Sequence, residues 1–444
     1  MSVVKRVGNE GNVGPTRRGI FRRAGAGGAA SLLGLLGVAC GGEASQPAAK
    51  RTQPVTLESW SRFAFFKDLA DKYTAGPGGA ETVSINAVTG GSPLEFQNKL
   101  IASAAANTTP DFTTVELNIT PGLNVKKIYA DISKEVARLK NKDQFPQAMA
   151  RYGNVEGKTY QIPFFVDASA LFFNRNLLKG VGRPEQGPKT WEEMTTSAVK
   201  VTNASSGVWG ATIPYNGSAT WMFMPWIYAN GGRLLNDEGT KSMVNSEEAA
   251  GAFTLWHDLA QKRQVSPDGF RTKQTFNAND LFIQGKLAMY HSGVGFLNTL
   301  RKDAPDLSFG VSVLPIGPRG KKTGCSPGGD TMGMLPSNKY KAETWRFMEW
   351  LISNEAQVDT LVQGRYGIPI LSGQFENKYF KDEPRFLPFR EAAQSATSTW
   401  TTRFEEIKAV MVPEYMAAMQ GTKEPRAALR EMHEAIDREL TKPG

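Results

Sequence analysis

Two apolar runs, residues 160–166 and 170–173, are separated only by Asp167, Ala168 and Ser169. Runs this short and this rich in Phe, Val and Ile suit buried strands, and Pro163 argues against a helix. A polar step holding a carboxylate and a hydroxyl between two buried strands is what a chain needs when it leaves one lobe, crosses a cleft and enters another. An ordinary bulge with a solvated Asp accounts for the same residues equally well.

The chain before this step alternates strand and helix. Val55, Leu57 and Ser59 alternate with polar residues up to Trp60, Ser61 and Arg62, and Phe65, Phe66, Leu69 and Tyr73 then recur at helical spacing. Residues 82–88 predict a second strand, Phe96, Leu100, Ile101 and Ala104 a second helix, and residues 111–115 a third strand. Such alternation implies α/β lobes, each a mainly parallel sheet flanked by helices. Ligands of such sheets sit beyond the carboxyl ends of the strands, which singles out Trp60, Ser61 and Arg62 and then Glu116 and Asn118. With 444 residues the chain can build two such lobes.

The N-terminus reads as an address. Thr16-Arg17-Arg18-Gly19-Ile20-Phe21-Arg22 precedes a Gly- and Ala-rich apolar run, residues 24–39, and Cys40 follows directly. The run is shorter than the roughly 20 apolar residues a membrane span needs, so residues 1–39 are expected to be a signal peptide. The paired arginines resemble a twin-arginine export signal, and Leu36-Gly37-Val38-Ala39-Cys40 resembles a lipobox in which Cys40 is acylated, although Gly37 is smaller than the residue usual there. Residues 40–53 then form a flexible, lipidated tether. Removing residues 1–39, which carry a net charge of +5, lowers the formal charge from +9 to +4. That is too mild to argue for nucleic acid. With Cys40 lipidated, Cys325 has no disulfide partner, and the three histidines lack metal-ligand spacing, so neither a cofactor nor a metal is expected.

Residues 208–236 carry Trp209, Tyr215, Trp221, Phe223, Trp226 and Tyr228. Trp226 and Tyr228 suit a core. Trp221 follows a Gly-Ser-Ala-Thr loop and so falls at a helix start, where a side chain can face a cleft. Thr190 is placed to cap a helix with Glu193 three residues on, and Asn245-Ser246-Glu247-Glu248 to cap another. Leu429, Met432, Ile436 and Leu440 form the apolar stripe of a last helix.

Several of these stretches resemble, in order, landmarks of the maltose-binding-like ABC-transporter extracellular solute-binding proteins, family 1. They are Pro110-Asp111, the step at Asp167 leading into Phe173-Asn174, Pro188-Lys189-Thr190-Trp191-Glu192-Glu193, Ala229-Asn230-Gly231-Gly232, residues 282–289, Ser326-Pro327-Gly328-Gly329-Asp330, and Gly364-Arg365-Tyr366-Gly367-Ile368-Pro369. The resemblance implies the two-lobed, type II periplasmic-binding-protein fold with three interlobe crossings. It assigns 54–165 with 292–327 to the first lobe and 166–291 with 328–444 to the second. It implies a monomeric, non-enzymatic, membrane-anchored lipoprotein on the extracytoplasmic face that closes over a sugar or oligosaccharide and delivers it to ABC permease transmembrane subunits.

Residue by residue, it places Asp167 with Ser169 at the crossing as sugar contacts, with Glu116 or Asn118 beside them and Arg62 donating. Trp221 and Trp400 stand where the family stacks aromatics on sugar, and Phe223 is a further candidate contact beside Trp221. His291, Ser292 and Phe296 follow the expected return strand, and Gly328, Gly329, Asp330 and Arg365 complete the lining. His291 as a catalytic base lacks any accompanying nucleophile. Two alternatives stay open: a binder of a non-sugar or phosphorylated polyol solute, and a secreted glycoside hydrolase pairing Asp167 with Glu116.

Overall fold

The computed structural model describes residues 53–183, 186–213, 219–267, 277–362 and 367–442. Among these residues eleven strands are named in chain order: β1 (Val55–Ser61), β2 (Val83–Thr89), β3 (Phe112–Glu116), β4 (Asn154–Val155), β5 (Lys158–Thr159), β6 (Ile162–Asp167), β7 (Ser169–Asn174), β8 (Trp209–Ala211), β9 (Leu287–Gly293), β10 (Phe309–Ser312) and β11 (Gly328–Met334). Strands β4 and β5 form a small hairpin; the others make two larger sheets, ordered β2-β1-β3-β11-β6 and β10-β7-β9-β8.

Period-2 alternation decides how the first sheet is buried. In β1, Val55, Leu57, Ser59 and Ser61 face one side, and Leu57 packs with Phe66, Phe112, Phe164 and Phe347. On the sheet's other side Val115 packs with Phe96, Leu100, Leu123, Tyr129 and Leu335. The second sheet is likewise covered twice. Phe172 meets Phe282, Phe296 and Phe389 on one face, while Leu171 and Phe173 join Trp191, Phe253 and Tyr415 on the other. Buried surface on both faces is what the near-continuous apolar runs of β6 and β7 required.

The helix caps follow the sequence. Thr190 Oγ1 accepts from Glu193 N at 3.2 Å, while the Glu193 carboxylate reaches back to Lys189 N at 2.8 Å. Ser246 caps the helix Glu247–His257 by accepting from Ala249 N.

Strand direction is mixed. Strands β1, β2 and β3 run parallel, as do β8 and β9, but β11 runs antiparallel to both β3 and β6, and β7 antiparallel to β9 and β10. The lobe boundaries also need correcting. Strand β9, whose residues 287–291 are assigned to the second lobe, pairs there with β7 and β8, but β10, expected in the first lobe, stays beside β7; the chain re-enters the first sheet only at β11. Residues 309–312 therefore belong with the second lobe and residues 328–334 with the first. A strand's apolar pattern shows that it is buried and leaves open which partner it pairs with. Among the described residues the passages between sheets are Asp167 to Ser169, Ser312 to Gly328, and the stretch between the helix Lys341–Leu351, whose Phe347 packs on Phe112, and the helix Phe404–Met419, whose Ile407 joins the second core.

Candidate functional site

The first passage sets the site. Strand β6 ends at Asp167, and Gly328 at the start of β11 lies opposite it in register. Gly329 has φ +110°, and a Cβ there would stand 2.1 Å from the Phe165 carbonyl oxygen, so only glycine fits here, one residue before β11 shifts register against β6 between Asp330 and Thr331. Across this point opens a hollow of about 550 Å³, within the range of small-molecule sites, lined by Arg62, Phe63, Ala64, Phe65, Glu116, Asn118, Phe165, Asp167, Trp221, Gly328 and Gly329.

One wall is aromatic. Phe63 stacks on Phe65 with ring centroids 5.0 Å apart, and Phe165 meets both edge-on at 5.3 and 5.7 Å. The Arg62 guanidinium lies over the Phe63 ring at 4.0 Å, an apolar and cationic contact that flattens it along the wall. Trp221, the third residue of the helix Ala219–Ala229, supplies a facing plate from the second lobe. Its indole is clasped at the passages between lobes: a Cβ on Gly293 would come 3.3 Å from Cη2, and one on Gly328 3.3 Å from Nε1.

Arg62 donates through Nε and Nη2 to Asp330 Oδ1, at 3.1 and 2.7 Å. The Asp330 side chain is 0% exposed and that of Arg62 18%, so Asp330 holds the arginine from beneath and only Arg62 reaches the hollow. Burial pushes the Asp330 carboxyl up to about 6 against the pull of Arg62. Burial likewise raises Asp167 to about 6, opposed by Arg62 and by the nearby backbone N–H of Val294, which donates to the Ala168 carbonyl at 3.1 Å. Val294 begins the helix Val294–Asp303, so Asp167 sits at a helix N-terminus.

His291 lies behind this surface, buried at 3% exposure. The Trp226 indole N–H can only donate, and it donates to His291 Nδ1 at 3.2 Å, which leaves the ring proton on Nε2, 2.8 Å from Ser169 Oγ. Burial drives the imidazole down to about 3, so the ring is neutral. Cys325 is a buried free thiol pushed up to about 12.

Of the residues singled out in the sequence, Arg62, Glu116, Asn118, Asp167, Trp221, Gly328 and Gly329 line the hollow. The others fall elsewhere. Trp60 points to the helix side of its sheet, beneath the Lys99 ammonium at 3.9 Å, because it alternates with the inward-facing Ser59 and Ser61. Ser61 is buried against Thr114 at 2.8 Å. Ser169 is buried against His291, Asp330 lies beneath Arg62, and Phe223 is core between Phe253 and Tyr415. Ser292 shares the opposite face of β9 with Tyr290, and Phe296 packs on Phe172 and Phe282. Trp400 sits against Gly239, away from this lining. Arg365 and Cys40 lie outside the described residues. Sequence reasoning missed Phe63, Phe65 and Phe165. The signal for Phe63 and Phe65 was the aromatic run directly after Arg62, at the carboxyl end of the first strand; that for Phe165 was its place two residues before Asp167.

The profile of the bacterial extracellular solute-binding proteins matches residues 58–358. The sn-glycerol-3-phosphate-binding periplasmic protein of Brucella melitensis is 23% identical over 310 residues, which span 65% of this chain and 69% of that protein. The sugar-binding protein MalE of Xanthomonas citri superposes with a TM-score of 0.77 at 19% identity, covering 87% of this chain and 97% of its own. A solute-binding protein of Thermotoga lettingae bound with α-D-tagatose gives 0.73 at 20% identity, covering 87% and 99%. Two sheets joined by repeated passages, a hollow at the first of them and a profile match across most of the chain together place this protein among the bacterial extracellular solute-binding proteins.

Proposed function

We propose that the hollow captures a neutral, hydroxyl-rich solute, a sugar or short oligosaccharide, which the protein delivers to the transmembrane subunits of an ABC importer. The observation that carries this reading is the lining itself. Flat aromatic faces from both sides, Phe63 and Phe65 against Trp221, stand beside Arg62, Glu116, Asn118 and Asp167. Sugar rings present apolar C–H faces to such plates and ring their edges with hydroxyls that need acceptors and donors. A solute touching both lobes makes all its contacts only when they close on it, so binding favours the closed form. One chain supplies both walls, so a monomer suffices.

Charge separates a sugar from a phosphorylated polyol. Among the described residues the site holds one cation, Arg62, already paired with Asp330 and flanked by Glu116 and Asp167. A phosphate entering there meets uncompensated carboxylates, whereas a neutral sugar offers them hydroxyl donors. The relatives that bind sugars therefore guide the substrate class better than the glycerol-3-phosphate binder. The family binds its solutes without transforming them, so Asp167 and Glu116 act as acceptors. We also infer that residues 1–39 direct export through the twin-arginine route and that Cys40, once acylated, tethers the folded part to the membrane by residues 40–53.

Thermal unfolding with maltose, mannobiose, D-tagatose and sn-glycerol 3-phosphate tests the ligand class. A sugar at a hundred times its Kd should stabilise the protein by about 2.7 kcal/mol, raising the midpoint by roughly 3 °C. A shift with the phosphate alone would overturn the sugar reading. Cys40→Ser should release the protein from the membrane fraction; a variant that stays membrane-bound sinks the anchoring assignment.

A further inference from the structure

Trp221 is held on two sides, by glycines along its edge and by a buried ring behind it. Its edge is bounded by the two glycines at the passages, Gly293 and Gly328. Behind it lies His291, with ring planes only 10° apart and centroids 6.4 Å apart. The Trp226 ring stands edge-on to the imidazole at 5.9 Å and 77°. Side-chain packing does not fill the space around His291: a small void of about 10 Å³, lined by Leu171, Met194, Trp226, Trp256, Met289 and His291 among others, adjoins it. With a gap beside it, the imidazole takes its orientation from its two hydrogen bonds, to Trp226 and to Ser169. Ser169 is the first residue of β7, immediately beyond the passage at Asp167.

We infer that His291 is a positioning residue that sets the plane of the Trp221 plate, coupling the geometry of the first passage between lobes to ligand affinity without contacting the ligand. This rests on the reading of Trp221 as a ligand-facing plate. In this arrangement the neutral imidazole acts as a two-ended strut. Trp226 fixes one ring nitrogen, Ser169 fixes the other, and the face so oriented backs the indole. A residue of similar bulk lacking either nitrogen would leave the Trp226 N–H and the Ser169 hydroxyl unpaired and let the indole tilt.

A double-mutant cycle tests this, with affinities measured by calorimetry using whichever of maltose, mannobiose and D-tagatose gives the largest thermal shift. His291→Leu should weaken binding about tenfold in the native chain and less than twofold when Trp221 is already replaced by alanine, because the affinity effect passes through the indole. A merely structural role predicts the same loss in both backgrounds, and that outcome overturns the inference; so does undiminished affinity in His291→Leu. Ser169→Ala removes one of the two bonds with less disturbance of the core. It should cost several-fold in affinity in the native chain alone, which keeps the test decisive if His291→Leu fails to fold. Sugar binding unaffected by Trp221→Ala would remove the plate reading itself, and the His291 inference with it.

Discussion

Replacing Asp167 with asparagine is expected to stabilise the ligand-free protein at neutral pH while weakening its grip on sugar. Burial raises this carboxyl from 3.8 to about 6. The folded protein therefore holds a proton, between about pH 4 and pH 6, that the unfolded chain has already released. Stability contributed by the protonated form is present below that window and is lost as pH rises through it. Fully realised, the rise is worth about 3 kcal/mol. The residue is partly exposed to the hollow, and water there reduces the effect to ~1–2 kcal/mol. An asparagine never ionises and keeps the size and shape of the carboxyl it replaces. For the roughly 390 folded residues, unfolding entropy near 0.8 kcal/mol/K converts this gain to about +2 °C in midpoint at pH 7.5. The same substitution should be nearly neutral at pH 4. Calorimetric scans of both proteins at the two pH values measure this, and isothermal titration should show about tenfold weaker sugar binding, the loss of a charge-assisted acceptor. The reasoning is refuted if Asp167→Asn lowers the midpoint at pH 7.5, or if its advantage does not shrink on acidification.

The same reasoning extends to its neighbours. Arg62→Met leaves Asp330 buried without its cation, raising that carboxyl further above 6; the variant should melt several degrees below the native protein at pH 7.5 and close to it at pH 4, in the same scans. Gly329→Ala forces a Cβ against the Phe165 carbonyl at a φ of +110°, a cost of at least ~3 kcal/mol that should appear as a midpoint drop of about 4 °C at every pH. Trp221→Ala should weaken sugar binding about tenfold by calorimetry with little change in midpoint, since the ring is partly exposed at the hollow.

Much of this architecture was legible because local pattern fixes it. The polar step at Asp167 stands between runs that are buried on both faces, and a break of that kind marks a chain leaving one sheet for another. The caps at Thr190 and Ser246 depend on residues three apart, as the sequence displays them. The assignment of β10 and β11 was not legible. Their partners, β7 for one and β3 with β6 for the other, lie more than a hundred residues away, and an apolar strand fits either sheet.

Within the site, the sequence located strand ends correctly and mistook which side chains they present. Trp60, Ser61 and Arg62 are consecutive, yet alternation sends Trp60 to one face, buries Ser61 on the other and frees only Arg62, just past the strand, to reach the hollow. The aromatic wall escaped notice because Phe63, Phe65 and Phe165 are apolar, and apolar residues beside a helix start, as Phe63 and Phe65 are, or within a buried strand, as Phe165 is, read as core. They are core on one edge and surface on the other, which only the neighbouring passage of β6 into Asp167 decides. His291 and Asp330 fall outside the lining for a related reason. A histidine or carboxylate near a cleft draws attention as a ligand contact, but both are sealed beneath a residue that lines the hollow, one behind Trp221 and the other under Arg62. Asp330 hydrogen-bonds Arg62 directly, whereas His291 is fixed by Trp226 and Ser169 and meets Trp221 only through its ring face; both are shielded from water, and that shielding is what moves their pKa values. A perturbed pKa in this cleft therefore identifies the supports as readily as the surface that meets the ligand.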